Sequence, residues 1–101
     1  MLAGALLSGS FCLSAASQPS HHLVVIEAMQ FAPQTVEVNV GNTVVWNNKD
    51  AFPHTATSDS QDFHSGEIPT SGEWRLVVRK KGVFPYSCAL HPTMHGTLIV
   101  K

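Results

Sequence analysis

A thiol, an imidazole and a thioether lie close together near the C-terminal end of the chain. Cys88, His91 and Met94 follow one another with the spacing C-x2-H-x2-M. Sulfur and imidazole ligands select copper or zinc over hard cations, and a thiolate with two imidazoles and a weak axial thioether is the ligand set of blue-copper centres. The spacing therefore predicts a soft-metal site that needs a second imidazole.

That second imidazole has to come from another part of the chain, and His54 is the candidate. It stands in the segment Phe52-Pro53-His54-Thr55, well before the C-terminal cluster. His95 could form a zinc pair with His91 on a helix, but Pro92 between them disfavours a helix. We expect the remaining histidines to lie at the surface; they are His21, His22, His64 and His95.

Each of these residues also has an ordinary structural explanation. A free cysteine is commonly a small buried side chain, and a lone histidine is usually a surface residue. The strand before the loop argues against that explanation for Cys88. Phe84, Tyr86 and Cys88 alternate and so share one face of a strand, which places the thiol in the core if the aromatic rings are there. Together with the spacing, this pattern favours a metal ligand.

The size and charge of the chain exclude several classes of function. Its 101 residues suffice for one small domain, which we expect to be a monomer. The formal net charge is -1 and charged residues make up 13%, so the chain offers no basic surface for nucleic acid. Nothing in the sequence resembles the oxyanion loop or the orienting third residue that a Cys–His nucleophile pair needs, so we expect no enzyme.

The N-terminal segment predicts export. Residues 1–17 are uncharged and rich in apolar and small residues, which is typical of a secretory signal peptide, although no lysine or arginine precedes the apolar run. Such a short run does not span a bilayer comfortably. Cleavage would leave one domain, residues 18–101, with no membrane span and with Cys88 as its only cysteine. We expect this mature protein in the periplasm.

The positions of the apolar residues predict strands and no helix. Val36, Val38 and Val40 alternate with polar residues, which is typical of a strand with one buried face. Residues 47–72 have no sustained apolar period, so we expect mostly loops there, with His54 near their start. Six or seven short strands separated by turn signals predict an all-β sandwich. The clearest predicted strands are residues 23–28, 35–40, 43–46, 73–79, 83–88 and 96–100.

Three stretches of the chain resemble one protein family. The segment 88–94 resembles the ligand loop of the cupredoxins, in particular the amicyanin/plastocyanin-like group, and its short spacing looks like that of amicyanins. The segment 46–54 resembles the amicyanin segment that contains the first histidine ligand. The stretch 31–41, with its Phe-x-Pro opening, alternating valines and final glycine, fits as well. The resemblance therefore extends over nearly all of the expected mature chain.

This resemblance implies a small Greek-key β-sandwich with one type 1 copper ion that cycles between Cu(I) and Cu(II). The implied ligands are His54, Cys88, His91 and Met94, with Met94 as the long axial ligand. A protein of this kind is a soluble electron carrier between extracytoplasmic redox proteins. The alternative is a periplasmic protein that binds or handles copper without rapid electron transfer.

The family also implies a docking surface for redox partner proteins. In relatives, the histidine of the C-terminal loop is exposed through an apolar patch. The corresponding residues here are Phe52, Pro53, Leu90 and Pro92, with Met29 as a further candidate. Apolar residues near a loop can also simply cover the core, so both explanations stay open.

Two positions depart from the family pattern. Relatives often have Asn after the first histidine and Ser or Thr after the cysteine, and these side chains can bridge the ligand loops. Here the positions are Thr55 and Ala89, so we expect that bridge to be absent, which keeps the copper-handling alternative open. Leu90 replaces a frequent proline and so has a backbone N–H. We hypothesise that this N–H donates a second hydrogen bond to the sulfur of Cys88.

Overall fold

The computed structural model describes residues 20–101. The predicted signal peptide, residues 1–17, lies outside the described residues, as do residues 18 and 19, so the signal peptide and its boundary stay predictions. Among the described residues there is no helix long and apolar enough to cross a membrane.

Within residues 20–101, eight strands form two four-stranded sheets. The first sheet has the strand order β2-β1-β4-β6, and the second has the order β3-β8-β7-β5. The strands are β1 (His21–Glu27), β2 (Gln30–Ala32), β3 (Thr35–Val38), β4 (Thr43–Asn48), β5 (Thr57–Ser58), β6 (Glu73–Val77), β7 (Gly82–Ser87) and β8 (His95–Val100). Both sheets are mixed, because β1 pairs with β4 and β3 with β8 in parallel while the other pairs are antiparallel. The predicted all-β sandwich is confirmed.

The strands follow the predicted segments closely, with one wrong assignment of a side chain. The alternation 36–38–40 places Val40 on the buried face, but β3 ends at Val38 and Val40 is 44% exposed. The chain turns at Gly41, whose φ of 95° is readily available only to glycine, so the alternation stops before Val40. The short strands β2 and β5 have too few residues to show a period of their own.

The two sheets bring distant parts of the chain to one end of the sandwich. In the first sheet, β4 leads into the segment that contains His54, whose backbone forms an isolated bridge with Ile68. In the second sheet, β7 and β8 form a hairpin that closes at the pair Ser87 and His95. Cys88 follows that pair directly, so the loop 88–94 lies at the hairpin end.

Tyr86 lies in the middle of the core, two residues before Cys88. Its side chain is 1% exposed, and its ring contacts those of Phe31 and Trp46 edge-on at centroid distances of 4.7 and 5.5 Å. Gly96 is its partner on β8, where a Cβ would lie 2.4 Å from the ring. This position therefore requires glycine for steric reasons. The predicted shared face of Phe84, Tyr86 and Cys88 is confirmed, since all are at most 9% exposed.

The Tyr86 hydroxyl group predicts how stability depends on high pH. Burial raises the pKa of Tyr86 to about 12 from its ordinary value of 10.0. A raised folded-state pKa stabilises the protein below pH 10, and that contribution is lost as the pH rises from about 10 to about 12. Urea unfolding across this range should therefore show a steeper loss of stability in the wild type than in Tyr86→Phe.

Near neutral pH, the same substitution should cost little. Neither the hydroxyl nor the neighbouring indole N–H of Trp46 forms a hydrogen bond of good geometry within residues 20–101, so removing the hydroxyl breaks no well-formed hydrogen bond. We expect Tyr86→Phe to stay within about 1 kcal/mol of the wild type at pH 7. If the free energy of unfolding falls with alkaline pH at the same slope in both proteins, the raised pKa of Tyr86 is contradicted.

Candidate metal centre

The structure brings His54, Cys88 and His91 together at one end of the sandwich. One ligand atom from each lies within 4.8 Å of the other two. The sulfur of Cys88 is 3.7 Å from Nδ1 of His54 and 3.8 Å from Nδ1 of His91. No other group of His, Cys, Asp or Glu in residues 20–101 converges in this way.

The loop 88–94 consists of two successive turns. The amide of His91 donates to the carbonyl of Cys88 at 3.2 Å, and the amide of Met94 donates to the carbonyl of His91 at 3.0 Å. Pro92 occupies the second position of the second turn, where its fixed φ is favourable. The amide of Cys88 donates to the carbonyl of Met94 at 3.3 Å and closes the loop. The spacing C-x2-H-x2-M thus places each ligand at a turn boundary.

The side chains of this group differ in their contact with solvent. Cys88 and His54 are fully buried, and Met94 is 2% exposed. His91 is only partly buried. Its ring lies 4.9 Å from the His54 ring and 6.4 Å from the exposed ring of Phe52, measured between centroids. The site therefore has a dry interior and a single imidazole near the surface.

One backbone amide stabilises the Cys88 sulfur. The N–H of Thr55 donates to Sγ at 3.2 Å, and such a hydrogen bond is stronger when the sulfur is a charged acceptor, as it is when it binds a metal. Within the part of the chain that the structure describes, Thr55 is the only backbone donor to this sulfur. The second bond hypothesised for Leu90 is not formed: within residues 20–101 the Leu90 amide makes no hydrogen bond to the sulfur, and the amide of His91 donates to the carbonyl of Cys88.

As expected from Thr55 and Ala89, the bridge between the two side chains is absent, and the two ligand loops are joined in a different way. A bridge between the two side chains is impossible because Ala89 has no polar atom. The backbone N–H of Ala89 instead donates to Oγ1 of Thr55 at 2.8 Å. Oγ1 of Thr55 is in turn 2.9 Å from Oγ1 of Thr57, which lies 2.7 Å from Nδ1 of the exposed His64. The loops are therefore held together by a side chain and a main-chain amide.

A carboxylate that the sequence analysis did not single out contacts the first histidine. Oδ2 of Asp50 lies 2.8 Å from Nε2 of His54. Partial burial alone would raise the pKa of Asp50, but hydrogen bonds from Met29, His54 and Ala28 outweigh it and lower the pKa below its ordinary value. Asp50 is therefore ionised at neutral pH. The only signal in the sequence is an acidic residue four positions before His54.

The donor set fits copper. It consists of one buried thiol and two imidazoles, with a thioether residue buried beside them and no carboxylate in the converging group. Soft sulfur and imidazole donors in this combination suit copper better than hard cations. His54, Cys88, His91 and Met94 are thus positioned as a type 1 copper site. The remaining histidines, including His95, do not join this group.

Comparisons with known proteins agree with this geometry. The family model of the cupredoxin-like domain matches residues 1–100. Amicyanin from Paracoccus versutus is 30% identical over 95 residues, which cover 88% of this chain and 72% of that protein. The methylamine utilization protein MauL from Methylophilus methylotrophus is 28% identical over 91 residues, which cover 84% of this chain and 52% of that protein.

Solved structures share the fold. A Cu(I) form of an amicyanin variant superposes with a TM-score of 0.75 at 24% identity and covers 90% of both chains. A purple cupredoxin from Nitrosopumilus maritimus has a TM-score of 0.73 at 29% identity, and the match covers 79% of this chain and 99% of that one. The likeness therefore extends over most of the sandwich.

The bond between Thr55 and Ala89 predicts the effect of a substitution. Thr55→Val keeps the shape of the side chain but removes the acceptor of the Ala89 amide. We expect the metal-free protein to lose about 1 kcal/mol or more in free energy of unfolding, and amide exchange at Ala89 to accelerate. Urea denaturation and hydrogen–deuterium exchange measure the two effects.

Thr57→Val is the matched control for this substitution. It removes the neighbouring hydroxyl but leaves the bond between Ala89 and Thr55 in place. Exchange at Ala89 should then stay near the wild-type rate. If both variants accelerate it equally, the bridge does not hold the loops together.

Proposed function

This chain belongs to the cupredoxin family, and we propose that it is a small blue copper electron carrier that shuttles single electrons between extracytoplasmic redox proteins. The observation that carries the proposal is the buried thiol of Cys88 between the Nδ1 atoms of His54 and His91. A thiol in that position serves a metal ligand set, and the similarity to amicyanins supports copper as the metal.

We propose that His54, Cys88, His91 and Met94 are the copper ligands. When bound there, copper supplies a one-electron centre that alternates between Cu(I) and Cu(II). Cys88 provides the thiolate, which the Thr55 amide stabilises, and the two imidazoles provide neutral nitrogen donors. Met94 provides the weak axial thioether that influences the potential.

The protein contributes a rigid and dry environment to this function. The loop 88–94 is closed by its own backbone hydrogen bonds, and Thr55 ties it to the loop of His54. Buried side chains on the core side exclude water from the thiol, which lowers the local dielectric constant and influences redox potential. A site held in one arrangement suits electron transfer, because little has to move when the charge changes.

The proposed docking surface surrounds His91 and consists of Phe52, Pro53, Leu90 and Pro92. All four are exposed, with Phe52 at 57% and Leu90 at 44%. His91 is the partly buried imidazole at the centre of this surface, so it offers the shortest route for an electron to a partner protein. Small apolar surfaces of this kind suit the brief encounters of redox proteins. Donor and acceptor are redox proteins of unknown identity.

The copper-handling alternative loses part of its support. It depended on the changes at Thr55 and Ala89 and on the additional histidines. The hydrogen bonds of Thr55 to both Cys88 and Ala89 join those loops and favour the electron carrier. We further propose that residues 1–17 direct export to the periplasm, which N-terminal sequencing of the mature protein would test.

Spectroscopy of the purified protein tests the central proposal. With Cu(II), the wild type should show an intense visible band from thiolate-to-copper charge transfer, the type 1 EPR signature and a reversible voltammogram. Cys88→Ser should lose the band, whereas His95→Gln, in the same hairpin but outside the converging group, should keep it. A colourless or readily exchanging copper protein would favour copper handling instead.

Electron self-exchange tests the docking surface without an identified partner. Leu90→Glu puts a charge into the surface that two molecules must bring together, so the self-exchange rate should fall by about tenfold or more as like charges repel. Val83→Glu is the control, because Val83 is 63% exposed and belongs to β7, away from the loop 88–94. NMR line broadening measures both rates. Equal effects of the two substitutions would place docking elsewhere.

A further inference from the structure

We propose that Asp50 is a positioning residue for the copper site: its carboxylate fixes the His54 ring and joins it to the turn between β1 and β2. The inference rests on the proposed copper function and adds a residue that lies outside the ligand set. Three donors converge on this one carboxylate, and they come from two separate segments of the chain.

The contacts of the carboxylate use both of its oxygens. Oδ1 accepts the amide of Ala28 at 2.8 Å. Oδ2 accepts the amide of Met29 at 3.0 Å and lies 2.8 Å from Nε2 of His54. An ionised carboxylate only accepts hydrogen bonds, so the Nε2 atom of His54 must donate. Asp50 thereby determines which nitrogen of the ring bears the proton.

That assignment of the proton matters for the metal. With its hydrogen on Nε2, the His54 ring presents the lone pair of Nδ1, which is the nitrogen that lies 3.7 Å from the Cys88 sulfur. The opposite tautomer would point an N–H at the metal position and leave Nε2 facing a carboxylate without a proton between them. A carboxylate behind a ligating histidine also makes the imidazole a stronger donor.

The position of Asp50 is itself fixed by a buried amide. The N–H of Asp50 donates to Oδ1 of Asn48 at 2.9 Å, and Asn48 is fully buried. Nδ2 of Asn48 donates to the carbonyls of Phe52 and Ile68 at 2.8 and 2.9 Å. These bonds hold the segment 48–54 on both sides of the carboxylate, so Asp50 has little freedom to leave His54.

The turn that Asp50 contacts needs external support. Ala28 and Met29 join β1 to β2 as a two-residue loop, and their φ angles are 54° and 58°. Such loops favour asparagine and glycine, because other residues pay a steric cost at positive φ. Hydrogen bonds from Asp50 to both amides offset that cost. A displacement of the His54 ring can therefore change the conformation of this turn, and a change in the turn can displace the ring.

The two histidine ligands differ in this respect. His54 is fully buried and held by Asp50, whereas no side chain in residues 20–101 holds Nε2 of the partly buried His91. The fixed negative charge of Asp50 stands behind the buried ligand only. It should favour the more positive oxidation state of the metal, Cu(II), over Cu(I).

Asp50→Asn tests the proposal, because an amide has only one acceptor oxygen for three donors. We expect Cu(II) affinity to fall by about 10- to 100-fold. The ratio of Cu(II) to Cu(I) affinity should fall by about tenfold, which raises the reduction potential by about 59 mV for one electron. Amide exchange at Ala28 and Met29 should also accelerate in the metal-free protein.

Glu27→Gln is the matched control. It removes one negative charge beside the same turn, but Glu27 is exposed and makes no contact with His54. Its potential and its Cu(II) affinity should stay close to those of the wild type. If the two variants raise the potential equally, Asp50 acts as a distant charge and the positioning role is wrong.

A second measurement covers the case in which Asp50→Asn does not fold. Nitrogen-15 NMR of the wild type, metal-free and with Zn(II), should show a slowly exchanging proton on Nε2 of His54. A proton on Nδ1 would overturn the inference. A wild type that binds copper without the blue band would defeat the proposed function instead, while a blue wild type with an unchanged Asp50→Asn variant defeats only this inference.

Discussion

The site depends on the hydrogen bonds that Thr55 makes between the two segments of the chain that contain the ligands. Its amide donates to the sulfur of Cys88, and its hydroxyl accepts from the amide of Ala89, so one residue holds both the ligand and the backbone beside it. His54 lies in the segment between β4 and β5, and Cys88 lies in the loop between β7 and β8. The distance between their ligand atoms is therefore set by this contact together with the packing of the core below it.

Local sequence explains almost completely how the chain places Cys88, His91 and Met94. Two turns of equal length return the chain from Cys88 to Met94, and Pro92 favours the second of them. Tyr86 and Gly96 then lock the register of the hairpin beneath the loop, since no larger residue fits opposite the ring. The position of His54 depends instead on long-range contacts, which involve Asn48, Asp50 and the bridge between His54 and Ile68.

This difference explains what could be predicted from the sequence. Alternation predicted the strands and the buried face of Phe84, Tyr86 and Cys88, because burial repeats at a period of two along a strand. It failed at Val40, where the turn at Gly41 ends the alternation. The Thr55 bridge and the Asp50 contact escaped prediction because a main-chain donor has no signature in the sequence and a carboxylate partner depends on which loops meet. The hypothesis about Leu90 failed for a related reason. The sequence shows that this residue has a backbone N–H but does not show in which direction the N–H points.

The unequal burial of the two imidazoles has a consequence for how the proposed carrier would exchange electrons with its partners. His54 is fully buried inside the sandwich. Of the two imidazoles in residues 20–101 that converge on the site, only the partly buried ring of His91 reaches the surface. In the proposed carrier, a donor and an acceptor that both dock at His91 would compete for the same surface and could not be bound there together. Such a carrier would have to release one partner before it meets the other, so its working cycle would be a series of separate encounters. Tight binding to either the donor or the acceptor would slow this cycle, so weak affinity for both suits such a carrier.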